Sequence, residues 1–329
     1  MRRFVYLGMT LFLISIWLTN AAETFALDKP KDYPKRPIEV VVPHGSGSGA
    51  DIFARAFLKD VEKTLGVPLK FSFMPGAAGA IGTAYAMDQP ADGYTLFLVS
   101  SDIVINFALG RVKFGIDDFI WLAKGIHEIS ALHTRTDNKK FQSVKDILDH
   151  CKANPEAKLT VACSGALGID HVWIELLNKR GNMCLKFIPF DKGGERKASF
   201  QGGHTTFQSD ELIDMEGLTQ AGISRPILVG YTERVKKYPD VPCTKELGIS
   251  NYIGRWRGFA LKKGTPEPIV KYLDQVFEKS FKTPGFQKFV HEDVGHERPA
   301  YLGVKDFKSF VAEEFKDFAE IAKDLGWIK

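Results

Sequence analysis

Two short stretches carry residue types that could do chemistry. The first is Pro43-His44-Gly45-Ser46-Gly47-Ser48-Gly49-Ala50-Asp51, a glycine-serine loop entering a helical pattern. The start of a helix leaves backbone N–H groups unpaired and presents the positive end of the dipole, so the loop reads as an anion cradle. It is not a nucleotide loop. Gly45 and Gly47 are followed by Gly49 with no glycine at position 50, which misses G-x-G-x-x-G, and no Lys-Ser or Lys-Thr makes a Walker A loop. The plainer alternative is a flexible connector. The second stretch is Ala162-Cys163-Ser164-Gly165-Ala166, a strand-turn-helix context like a nucleophile elbow with alanines for the flanking glycines. Asp210 and His171 are available as partners, in an order and spacing that compel no triad. His171 falls on the helix after the loop and reads as structural, while Asp51 reads as a helix cap. No C-x-x-C or His-x-x-x-His spacing occurs, so neither a metal nor a cofactor is expected.

These stretches must be positioned by alternating strands and helices. Ile38 to Val42 is an apolar β-branched run that reads as a buried strand. Ile52, Ala56, Val61 and Leu65 then fall near helical spacing, with Gly66 as the stop. Pro68 to Phe73 reads as a second strand. It runs into Met74-Pro75-Gly76-Ala77-Ala78-Gly79-Ala80-Ile81-Gly82 and a helix from Thr83 to Met87. Tyr94 to Val99 is a third strand, ending in Ser100-Ser101-Asp102. Strand ends that share one edge of a parallel sheet are where ligands collect. Residues 128 to 135 look like another strand, and Val144, Ile147, Leu148 and Cys151 mark a helix. The opening logic then repeats: a strand from Lys158 to Cys163, the loop Ser164-Gly165-Ala166-Leu167-Gly168, and a helix from Asp170 to Asn178. Leu185 to Phe190 and residues 205 to 209 add strands, the latter ending at Asp210. Strands over Pro226–Tyr231 and Gly258–Leu261 precede three amphipathic helices between Glu267 and Leu325, whose phenylalanines face a core. Two α/β lobes with glycine loops on each imply a ligand cleft between them.

The N-terminus reads as a secretory signal over residues 1–26. Arg2 and Arg3 precede an apolar Val5–Leu18 segment, and Asn20-Ala21-Ala22 or Thr24-Phe25-Ala26 offers a cleavage site. An uncleaved anchor is the alternative, although the apolar run is short for a membrane span. Loss of Arg2, Arg3 and Glu23 takes the net charge from +4 to +3, too mild and too evenly spread for nucleic-acid binding. Export permits disulfides among Cys151, Cys163, Cys184 and Cys243, and sequence cannot choose among the three complete pairings. Cys163 and Cys184 lie on strands expected to be neighbours, so they are expected to be close, with a disulfide not favoured.

An ordered set of motifs along essentially the whole mature chain resembles the extracytoplasmic solute receptors of tripartite tricarboxylate transporters, the Bug or TctC-like family. Tyr33-Pro34-x-Arg36-Pro37-Ile38, the loop Pro43–Asp51 with Ala54-Arg55, Pro75 to Gly82, and Asp92-Gly93-Tyr94-Thr95-Leu96 carry the first part. Arg234 with Tyr238-Pro239-Asp240-Val241-Pro242, Glu246-x-Gly248, Trp256-x-Gly258 and Gly264-Thr265-Pro266 continue it. The resemblance implies an α/β, two-lobed, type II periplasmic-binding-protein or venus-flytrap fold without catalysis. Lobe 1 is expected over 27–127 and 253–329 and lobe 2 over 128–252. The implied protein is a periplasmic monomer that captures a small organic anion and passes it to membrane permease subunits.

Carried onto this chain, the ligand carboxylate is expected against His44, Gly45, Ser46, Gly47, Ser48 and Gly49, with Ala77, Ala78, Gly79 and Ser101 from the same lobe. Ser164, Gly165, Ala166, Leu167, Gly168, His171 and Asp210 are expected from the other. A side chain at Gly47 is expected to fill the cradle. The chain departs from the family pattern at His44, where a large apolar residue is usual, and at Gly47-Ser48, where two glycines are. It departs again at Leu167-Gly168, at Gly203-His204-Thr205-Thr206, and in the polar run Phe207-Gln208-Ser209-Asp210. An unusual distal pocket follows, with Asp210 favouring a hydroxyl, amine or aromatic group and a protonated His44 admitting a second acid. An exported hydrolase using Ser164 and a receptor feeding a sensor are the alternatives.

Overall fold

Apolar runs of five or six residues alternate with amphipathic stretches, which is the pattern of sheets covered by helices. The computed structural model describes residues 27–292 and 300–329, so the signal expected over 1–26 lies outside the described residues. The chain begins with β1 (Ile38–Val42), α1 (Gly49–Leu65), β2 (Leu69–Phe73), α2 (Ala80–Asp88), β3 (Thr95–Ser100), α3 (Ser101–Ala108) and β4 (Phe119–His127). It continues with β5 (Ser130–Arg135), α4 (Val144–Ala153), β6 (Leu159–Ser164), α5 (Ile169–Gly181), β7 (Leu185–Phe190), α6 (Gly193–Gln201), β8 (Phe207–Glu211), α7 (Glu216–Gln220) and β9 (Ser224–Val229). It closes with β10 (Trp256–Lys262), α8 (Glu267–Phe281), α9 (Pro284–Glu292), β11 (Leu302–Gly303) and α10 (Val304–Asp324).

Two separate sheets result, ordered β11-β4-β10-β3-β1-β2 and β7-β6-β8-β5-β9. β1 runs parallel to β2 and β3, and β6 runs parallel to β7 and β8. The carboxyl ends of these strands therefore open on one edge of each sheet, and those edges face each other across the cleft. The chain crosses between sheets at residues 128–129 and comes back just before β10. There the Glu128 N–H donates to the Arg255 carbonyl at 2.7 Å, pairing the two crossings. The strand expected over 128–135 is β5, which starts two residues later, after the crossing, and β4 before it was not foreseen.

In the first lobe α1 buries Phe53, Phe57, Leu58 and Val61, and leaves Ile52 40% exposed. Val61 and Leu65 face the core as expected, and in the first two turns Phe53 and Phe57 take the places expected of Ile52 and Ala56. Phe53 and Phe57 meet Phe259, Phe277 and Phe286 at ring separations of 4.6 to 6.2 Å. Each such ring contributes about 1.5–3 kcal/mol by leaving water. On the other face of the sheet Trp121, Trp256 and Phe307 pack edge to face.

In the second lobe the cysteines differ from expectation. Parallel register sets Leu159 beside Leu185 and Cys163 beside Pro189, so Cys184 lies at the far end of the strand pair from Cys163. Cys184 instead bonds Cys151 of α4, with a Cα separation of 5.4 Å, while Cys163 and Cys243 are free and buried. Closing a loop of 33 residues is worth about 3–4 kcal/mol on the chain-entropy account.

Candidate functional site

The start of α1 is capped from within. Ser48 is the N-cap, and its hydroxyl accepts from the Asp51 N–H at 3.4 Å. Asp51 reaches back to accept from the Gly47 N–H at 2.9 Å and the Ser46 hydroxyl at 3.2 Å, and Arg55 Nε donates to it at 2.7 Å. Asp51 is therefore a cap, as its position suggested. A Cβ at Gly47 would meet nothing within 4 Å among the described residues, and its left-handed φ of 76° disfavours any side chain there. The sensitive position is Gly49, whose Cβ would lie 2.0 Å from Oδ2 of Asp214, a residue of the opposite lobe.

The start of α5 shows the converse arrangement. The Ile169 N–H donates to Asp102 Oδ1 at 2.8 Å, and Asp102 belongs to α3 of the first lobe. Burial alone would raise the Asp102 pKa, but Arg255, His44 and this N–H hold it below the usual carboxylate range. Each lobe thus extends a carboxylate toward the helix start of the other. Close by, Asp170 accepts from the Ser164 N–H at 2.8 Å, and His171 Nδ1 accepts from the Leu167 N–H at 3.2 Å. The His171 ring stacks on Phe187 at 4.0 Å, and burial lowers its pKa to about 4. The Ser164 hydroxyl accepts from Arg255 Nη2 at 3.1 Å. Ser164 is bonded to a guanidinium and His171 to a backbone N–H, which is not the geometry of a nucleophile and its base.

Three buried arginines knit the cleft, and sequence reasoning named none of them. Arg255 and Arg257 flank Trp256, so alternation sends both toward the cleft while the indole enters the first lobe's core. Arg255 pairs with Asp102 of the first lobe, and with Glu211 (3.0 Å) and Asp170 (3.1 Å) of the second. Arg257 pairs with Glu128, with Asp214 at 2.9 Å and with Glu211 at 3.4 Å. Arg196, on α6, holds Asp210 at 2.5 Å and Asp170 at 3.4 Å. Complete burial, reinforced by Asp170 and Asp210, pushes Glu211 up to about 8 despite its two arginines. Burial also raises Asp210, and it lowers His44 to about 4 although Asp102 lies 3.6 Å away. At neutral pH His44 is uncharged, which removes its expected welcome for a second acid.

The cleft encloses a cavity of about 40 Å³, so admitting an organic molecule requires the lobes to part. His44, Ser48, Gly49, Ala78, Gly79, Ser164, Gly165 and Asp210 line it, joined by Asp214, Arg196, Arg255 and Arg257. The remaining expected residues lie behind this wall. Gly45 backs onto Lys192, Ser46 and Gly47 serve Asp51, and Ser101 binds the Gly254 carbonyl and the Trp256 N–H. Ala77, Ala166, Leu167, Gly168 and His171 shape the turns instead. Ala77 (φ 50°), Ala78 (φ 49°) and Leu167 (φ 60°) hold left-handed backbone that side chains disfavour, strain that marks the loop of each lobe nearest its partner. Asn106 anchors the first of these turns by donating to the Ala78 carbonyl at 2.9 Å.

Comparison with known proteins agrees with this architecture. A solute-binding protein of the TctC type from Polaromonas, solved without ligand, is 27% identical. The match covers 89% of this chain and 99% of that one, with a TM-score of 0.63. The MatC protein of Rhodopseudomonas palustris with bound malate is 23% identical and shares the fold, with a TM-score of 0.78 over 88% of this chain and 99% of that one. The protein BugT of Bordetella pertussis is 23% identical over 97% of this chain and 99% of its own. The pattern of the tripartite tricarboxylate transporter family receptors matches residues 53–327. The chain belongs to that family, TctC, a family of solute-binding receptors and not of enzymes.

Proposed function

We propose that this chain is an extracytoplasmic receptor that captures a small organic carboxylate between its lobes and delivers it to the membrane subunits of a tripartite transporter. The observation that carries this reading is the cavity walled by loops of both lobes, since a ligand held there would bridge them. Malate in the MatC relative supports the ligand class. The carboxylate meets the first N–H groups of α1 and the strained turn at residues 76–79, with the Nε of Arg196, which has no partner among the described residues, nearby. Charge-assisted bonds of this kind are about twice as strong as neutral ones.

The lobes divide as 27–127 with 253–329 and 128–252, and residues 1–26 direct export. No helix among the described residues is long and apolar enough to cross a membrane. The deciding experiment is calorimetric titration with mono- and dicarboxylates, followed by uptake of any ligand found in cells with and without the gene. Absence of binding to every carboxylate defeats the reading, and uptake that is unchanged without the gene defeats delivery. N-terminal sequencing of exported protein tests cleavage.

A further inference from the structure

We propose that Asp210 and Asp214 form a cation subsite in the cleft and that the ligand is a zwitterion, with a protonated primary amine beside its carboxylate. This rests on the receptor reading above. The hydrogen-bonding capacity left over in the cavity points there. Arg255 commits Nε to Glu211, one Nη to Asp102, and the other to Asp170 and Ser164. Arg257 commits its Nη atoms to Glu128, Glu211 and Asp214. Among the acceptors, Asp210 Oδ1 and Asp214 Oδ1 have no partner among the described residues. Both side chains line the cavity and are more than nine-tenths buried.

A buried acceptor without a donor costs about 1–3 kcal/mol, more when charged. A ligand that brings N–H groups to these oxygens recovers that cost.

Charge leads to the same place. Three guanidiniums (Arg196, Arg255, Arg257) face five carboxylates, those of Asp102, Glu128, Asp170, Asp210 and Asp214, besides Glu211, which holds a proton at neutral pH. The cleft is short of positive charge. Asp210, Glu211 and Asp214 stand close enough to suggest a metal ion, with ligand atoms within 4.8 Å of one another. Both Glu211 oxygens are already held by arginines, however, which leaves two free oxygens where a hard divalent cation wants six or more. An ammonium carries three N–H donors and is well served by two carboxylates and a water. Asp214 also touches Gly49 at the start of α1. The cation seat therefore adjoins the donors assigned to the carboxylate, which favours a short spacer between the two groups.

The test is calorimetric titration of the intact protein with glycine, β-alanine and 4-aminobutyrate. Each is set against the acid that has hydrogen in place of the amine (acetate, propionate, butyrate), with succinate and calcium chloride alone as further probes. At least one amino acid should bind about tenfold or more tightly than its amine-free match, the worth of a charge-assisted bond. Asp210→Asn and Asp214→Asn, each confirmed folded by thermal melting, should each remove that advantage, so that the amino acid binds no more tightly than its amine-free match. An ammonium seated beside Glu211, whose other neighbours are Arg255, Asp170, Arg257 and Asp210, should also expel a proton. The apparent heat at pH 7.5 should then differ between phosphate and Tris buffers.

Amine-free acids or succinate binding as tightly as the amino acids overturns the subsite and leaves the receptor reading intact. An advantage that survives both substitutions also overturns it, as does tight calcium binding without any amine. Failure of all three amino acids overturns the subsite, and the receptor reading falls with it only if the wider panel of mono- and dicarboxylates also fails to bind.

Discussion

The two helix starts that face the cleft are built alike and finished differently. At α5 the Ile169 N–H receives Asp102 at 2.8 Å, and Asp102 is itself held by Arg255, so donor and acceptor are both satisfied. At α1 the arriving carboxylate is Asp214, which abuts Gly49 and keeps one oxygen without a partner among the described residues. The first end is a clasp and the second is a seat with capacity to spare. The difference teaches that a helix start is not itself a ligand site. What matters is how much hydrogen-bonding capacity the protein's own groups have left there.

The comparison breaks most forcefully at Arg255. Replacing it with alanine takes a cationic partner from Asp102, Asp170 and Glu211 together, and loss of one partner of a buried ion pair costs about 3–5 kcal/mol. Urea denaturation of Arg255→Ala should show a loss of that size, and a loss below 1 kcal/mol would mean that the clasp is not holding the lobes. Next in size is Gly49→Ala, which places a methyl 2.0 Å from Asp214 Oδ2 and should cost about 1–3 kcal/mol through overpacking. The lobes should relieve it by parting, so small-angle scattering should report a larger radius of gyration, whereas Gly47→Ala, facing open space, should leave the radius unchanged. Asp102→Asn keeps an acceptor for Ile169 and loses the charge opposite Arg255. It should cost about 1–3 kcal/mol in the same denaturation assay, with Asp102→Ala costing more.

The smallest effect is in pH. Glu211 binds its proton more tightly when folded (about 8, against 4.5), so its contribution declines as pH rises from 4.5 toward 8. His44 and His171 bind theirs more weakly when folded (about 4, against 6.5), so their contributions are lost as pH falls from 6.5 toward 4. Stability should peak near pH 6.5 and decline by about 1.4 kcal/mol per unit at most on the alkaline side. A melting temperature that rises steadily from pH 6.5 to 8 would contradict the placement of Glu211, and Glu211→Gln should flatten that limb.

Much of this was legible in the sequence because it is local. The two glycine loops, the Ser48–Asp51 cap and the Gly66 stop each declare themselves within a few residues. The duplicated strand-loop-helix order signalled two lobes in the same way. The ion network was not legible. Asp102, Asp170, Arg196, Glu211, Asp214, Arg255 and Arg257 meet only through the tertiary fold, and a charged residue near a strand end ordinarily reads as solvated. One signal was available: Arg255-Trp256-Arg257 is a polar–apolar–polar alternation entering a strand, which places two cations on one face. Ile52 misled for a related reason, since Phe53 and Phe57 define an apolar stripe one residue over, and only the facing Phe259 and Phe286 reveal it.

The Arg255 clasp also bears on the speed and apparent strength of capture. It joins the lobes through the protein's own carboxylates, so the shut form needs no guest to be populated. A ligand that enters only when the cleft gapes then binds with its intrinsic affinity scaled by the gaping fraction. Every 1.4 kcal/mol by which the clasp favours the shut form weakens apparent binding about tenfold. Loosening Arg255 should therefore trade fold stability for faster and tighter binding of solute, and the strength of that one side chain sets the concentration at which the cleft begins to fill.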